Sequence, residues 1–115
     1  MTFLFELKSD LKDLISYMEG AQKLEDVGLG LKEQAMNGLL DSCGFFIEKY
    51  EDAQRTEKLN EKEKKLLEDS LFYVQEAIND LEEWDFTEEG DNDPDFGAAI
   101  DNAASGIKFG VLNKF

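Results

Sequence analysis

The sequence predicts an all-α, single-domain antiparallel bundle of about four helices, at about 2–19, 31–54, 60–84 and 94–109. Three observations carry that reading. Apolar residues recur at the helical period over long runs. One proline, Pro94, occurs in 115 residues, so little interrupts those runs. The connections between them are short, which makes sequential helices antiparallel neighbours. A chain of this length buries roughly two-thirds of its unfolded surface and needs neither disulfide nor metal to hold a core.

In the first helix, about Thr2 to Glu19, Leu4, Leu7, Leu11, Leu14, Ile15 and Met18 form one stripe, with Asp10 and Asp13 on the wet side. Gly20 is expected to end it. The second helix is expected from about Leu31, with Gly28 and Gly30 loosening its start. Its stripe is Ala35, Leu39, Cys43, Phe46, Tyr50 and Ala53, flanked by Met36, Leu40 and Ile47. Gly38 and Gly44 inside it cost about 1 kcal/mol each against alanine and are expected to permit a close helix crossing. A strand over Phe45-Phe46-Ile47 is the alternative.

The third helix is the clearest. Asn60 and Glu63 form a capping box, and the helix is expected to reach Trp84, about 37 Å in all. Leu67, Leu71, Val74, Ile78 and Leu81 share one face, widened by Leu66, Tyr73, Ala77 and Trp84. Opposite lie Asp69, Glu76, Asp80 and Glu83, with Phe72 among them. Asp93-Pro94 then supplies a cap and a first-turn proline for a fourth helix. Its stripe is Phe96, Ile100, Ala103 and Ile107, with Gly106 and Gly110 weakening its end.

Composition narrows the function. The formal charge is −15, which disfavours nucleic acid and anionic membranes and favours a basic partner. No apolar run approaches the ~20 residues of a membrane-spanning helix. No signal peptide is visible: Met1-Thr2-Phe3-Leu4-Phe5 is followed at once by Glu6 and Lys8. The single Cys43 cannot pair within the chain and sits among apolar neighbours, so it reads as buried and inert in a reducing compartment. The expected location is cytoplasmic.

The chain has no histidine, which removes Ser-His-Asp and Cys-His catalysis and imidazole-held metals. Helical nucleotide pyrophosphohydrolases pair two carboxylate couples; Glu48 and Glu51 could supply the first, but Lys64 and Leu67 stand where the second belongs. A calcium loop starting at Asp91 has Phe96 in the glycine place and Asn102 at its close. One starting at Asp85 places Gly90 correctly but closes on Phe96. The glycines lack the context of a phosphate loop. No catalytic residue, metal or cofactor is therefore expected, with a carboxylate–metal enzyme as the last alternative.

From 66 to 107 there is no Lys or Arg, while thirteen acids occur. This half is either a solvated helix face leading into a loop or a docking surface for a cationic partner. Aromatics set among charges favour docking. The candidate partner-binding residues are Asp69, Phe72, Glu76, Asp80, Glu82, Glu83, Trp84, Asp85, Phe86, Glu88, Glu89 and Asp91. Trp84 has a second reading, in which it closes the end of the bundle. Carboxylates at Glu76, Asp80 and Glu83 lie about 5–6 Å apart along a helix, near the phosphate spacing of a nucleic-acid strand.

In size and acidity the chain resembles bacterial immunity proteins against toxin nucleases and phage-encoded inhibitors, a likeness of profile rather than of motif. The expected function is that of a non-enzymatic, acidic inhibitor or immunity-type protein. It would occlude the groove of a basic protein partner, such as a nuclease toxin or nucleic-acid-binding enzyme. The alternatives are a phage-type DNA mimic directed at a host defence protein, and an adaptor that self-associates through Leu66, Tyr73 and Ala77. Monomer and homodimer both remain open.

Overall fold

The computed structural model describes residues 3–23, 29–84 and 94–115. Four helices run up, down, up and down: α1 (Phe3–Gln22), α2 (Leu29–Thr56), α3 (Glu61–Glu82) and α4 (Pro94–Gly110). A 3₁₀ turn at Leu112–Lys114 follows. The predicted all-α antiparallel bundle is the fold, and the Phe45-Phe46-Ile47 segment is helical rather than extended. Side-chain contacts fix the directions. Lys49 and Tyr50, late in α2, bond Asp10, early in α1. Gln22 at the end of α1 donates to the Gly97 carbonyl near the start of α4, at 3.3 Å. Trp84 meets Phe96 across the α3–α4 connection, with ring centroids 5.1 Å apart and planes at 72°.

Gly20 does not end α1. The helix continues one further turn, because Ala21 is buried there and Gln22 is tied to α4. These contacts offset a glycine penalty of about 1 kcal/mol. The N-terminus of α3 is the expected capping box: Glu63 N–H donates to Asn60 Oδ1 at 2.8 Å, and Asn60 N–H to Glu63 Oε1 at 2.9 Å. At its other end α3 stops at Glu82, with Glu83 as cap, so Trp84 lies just beyond the helix. Pro94 is the first residue of α4 as expected; the Asp93 cap lies outside the described residues.

One cluster of apolar side chains joins all four helices. It runs through Leu11 and Met18 of α1, Met36 and Cys43 of α2, Val74 and Leu81 of α3, and Phe96 and Ile107 of α4. Two buried faces differ in detail from the expected stripes. On α2, Met36 is fully buried while Ala35 and Ala53 are half-buried. On α3 the buried line is Leu67, Ser70, Val74, Ala77, Leu81 and Trp84, with Leu71 and Ile78 only half-buried. The reason is α4, which packs closely on α3 through small residues: Ala103 and Ala104 are buried. A Cβ at Gly110 would fall on the Tyr73 ring. Leu66 and Ala77 are thus buried within the chain, so the face expected to support self-association is already covered.

Ser70 is fully buried and satisfied by its own helix, its hydroxyl donating to the Leu66 carbonyl at 2.7 Å. Burial pushes the Cys43 thiol up to about 12, so it carries no thiolate at neutral pH.

Candidate docking surface on the third helix

The outer face of α3 follows from its period. Residues 69, 72, 76, 80 and 83 succeed one another at steps of three and four and so form one stripe. Phe72, Glu76 and Glu83 are exposed, and Asp80 is partly covered. Burial first, then the charges of Glu83 and Glu76, raise the Asp80 carboxyl above its ordinary value. The three carboxylates are therefore one electrostatic unit. No lysine or arginine pairs with any of them among the described residues. Asn79 donates to Glu76 at 3.2 Å, which orients that carboxylate without neutralising it.

Phe72 stands at the head of this unit. It is 57% exposed and held edge-on by Tyr73, with centroids 5.0 Å apart at 87°. Tyr73 is itself seated over Gly110. An exposed ring backed by a fixed one, next to unpaired carboxylates, has the chemistry of an interface anchor with a charged rim.

The other sequence-predicted residues divide. Asp69 belongs to a different environment: Lys114 and Lys65 bracket it at 3.1 and 3.2 Å. Burial works to raise its carboxyl, but the two ammonium groups prevail and hold it below the usual range. That pairing docks the C-terminal turn onto α3, so Asp69 is not free surface charge. Glu82 is exposed but lies about 100° around the helix from Glu83, off the stripe. Trp84 is 3% exposed; its ring closes the end of the bundle against Phe96. Asp85, Phe86, Glu88, Glu89 and Asp91 lie outside the described residues.

Two clusters were not legible in the sequence. At the far end of the bundle Lys49 bridges Glu6 and Asp10, each at 2.7 Å. The Tyr50 hydroxyl donates to the same Asp10 carboxylate. Burial first, then that hydrogen bond, pushes the Tyr50 phenol up, so Tyr50 is a fixed donor. Near Trp84, Lys32 is 1% exposed with its ammonium 6.0 Å from the Phe96 ring centroid, a cation–π arrangement. No sequence period announces either, because the partners lie on different helices.

Among the described residues, no three His, Cys, Asp or Glu side chains converge so as to hold a metal ion. No helix there is long and apolar enough to cross a membrane. Fold and surface together define an acidic four-helix bundle with one unneutralised helix face. Compared with protein-family models, curated proteins and solved structures, the chain matches none.

Proposed function

We propose that this protein is a non-enzymatic, acidic binding protein of the inhibitor or immunity type. It docks the outer face of α3 onto a basic protein that itself acts on nucleic acid. The observation that supports the reading is the Glu76–Asp80–Glu83 unit beside exposed Phe72. Three carboxylates at about 5–6 Å spacing present negative charge much as a phosphate strand does. A groove built to neutralise phosphates would accept them, and the aromatic ring would supply an apolar anchor. Association would be steered by charge and so be fast and strongly salt-dependent. The acid-rich sequence between α3 and α4 adds further negative charge to the same half of the chain.

The test is inhibition with the surface reversed. The immobilised chain would be used to capture a basic protein from host extract, and nucleic-acid binding or cleavage by that protein measured with and without the chain. The expected result is inhibition that weakens as salt rises and vanishes in a Glu76→Lys, Asp80→Lys, Glu83→Lys variant of unchanged helicity. Inhibition that survives the reversal would show that α3 is not the interface.

A further inference from the structure

We propose that the groove between α1 and α2 is a second docking surface, receiving an arginine side chain carried on a basic segment of a partner protein. The inference stands on different residues from the α3 reading and does not depend on it.

Of the neighbouring helix pairs, α1 and α2 approach each other least closely. They leave an open groove of about 280 Å³ walled by Leu14, Tyr17, Phe45 and Phe46, with Asp13 and Ser42 as polar edges. Its shape is set from both helices. A Cβ at Gly38 would fall on the Tyr17 hydroxyl, so only glycine there lets Tyr17 lie across α2. The close approach expected at Gly38 and Gly44 is thus made at Gly38 alone, and by a side chain; a Cβ at Gly44 would meet nothing within 4 Å. Two rings remain open to solvent, Phe45 at 70% and Tyr17 at 43% exposure. Phe45 also borders a second hollow, whose edge carries Asp41 and Glu48.

Charge selects the occupant. The only lysine at the groove, Lys49, is already engaged by Glu6 and Asp10. Asp13 is exposed and has no ion pair among the described residues. Aromatic faces beside a free carboxylate suit a cation that stacks and forks together. The guanidinium does both, whereas an ammonium is a compact, strongly hydrated point charge. A second copy of this chain is a poor occupant, because each copy carries −15 and the groove edge has the same sign.

The probe is a short capped peptide of alternating alanine and arginine, with lysine and citrulline counterparts, titrated into labelled protein and followed by amide shifts. The expected shifts gather on Asp13, Tyr17, Ser42 and Phe45. The arginine peptide should bind more tightly than the lysine one at equal charge, and the citrulline peptide should not bind. Phe45→Ala removes an exposed ring without touching the core and should weaken arginine binding by roughly two- to fivefold. Gly38→Ala, which displaces Tyr17, should weaken it independently. A Glu76→Gln, Asp80→Asn, Glu83→Gln variant should leave the groove shifts in place. Equal affinity for arginine and lysine, shifts centred on α3, or indifference to Phe45→Ala would each overturn the proposal. So would a dimer, seen by light scattering, that Phe45→Ala dissolves.

Discussion

Replacing Asp80 by asparagine should make the protein more stable. Asp80 sits four residues after Glu76 and three before Glu83, so each neighbour lies about 6 Å away. Two unit charges at that distance in water repel by about 0.7 kcal/mol. Two such pairs give about 1.4 kcal/mol, which a screening length of about 10 Å at 0.1 M salt reduces to roughly 0.8 kcal/mol. Partial burial of Asp80 acts in the same direction. Asp80→Asn is therefore expected to gain about 0.5–1 kcal/mol at neutral pH in 0.1 M salt.

The pH dependence has a definite sign. A carboxyl whose pKa is raised by folding binds its proton more tightly in the folded chain. Its favourable contribution is complete below the unfolded value, about 3.9, and is lost as pH rises through the folded one. At neutral pH the wild type thus carries a penalty that the variant lacks, and in strong acid the two converge. Urea unfolding followed by far-UV circular dichroism, at both pH values and at low and about 1 M salt, measures this. An Asp80→Asn protein no more stable than wild type at neutral pH and low salt would refute the reasoning. A gain that ignores salt would refute it equally.

Two further predictions follow from the same helix. Asp69→Asn should cost about 0.5–1 kcal/mol at neutral pH by releasing Lys65 and Lys114. Because folding lowers the Asp69 pKa, that cost should shrink as pH falls below the unfolded value and through the folded one, the opposite trend to Asp80→Asn. Trp84→Ala should cost about 3–5 kcal/mol, since the ring is buried against Phe96. As the only tryptophan, its native emission should be blue-shifted and poorly quenched by iodide; red, readily quenched emission would place it at the surface.

Most of the fold was legible because it is periodic. Helix count, order and direction follow from where apolar residues recur and from short connections. The α3 capping box was readable from Asn60 and Glu63 because both partners lie within one turn. What the sequence could not place depends on other helices. Leu71 and Ile78 belong to the periodic face of α3, yet α4 covers the flank that carries Ala77 and Trp84 instead. Gly20 resembles a helix end until Ala21 and Gln22 find their contacts. The same division holds at the surface. Glu76, Asp80 and Glu83 share a stripe by arithmetic alone. Asp69 shares it too, but its pairing with Lys114 spans 45 positions and no local pattern announces it. The aromatic groove depends on how far α1 stands from α2, which is a property of packing.

The two ends of α3 sharpen the argument for a used surface. Its first turn holds Glu61 and Glu63 and a complete capping box, all favourable beside the positive end of the helix dipole. Its last turn has no basic residue and carries Glu82, with Glu83 as the cap, where negative charge opposes the dipole and costs about 0.3–1 kcal/mol per group. Charge elsewhere is balanced: residues 51–65, spanning the α2–α3 connection, hold five acids and five bases. The imbalance is thus local, confined to the half of α3 that also carries exposed Phe72 and the coupled Asp80. A sequence that follows the stability rules at one end of a helix and breaks them at the other departs from consistency in one place. Such departures concentrate where a surface is kept for binding at the expense of stability. On that reasoning the outer face of α3, rather than the charge of the molecule as a whole, is the part of the protein to probe first.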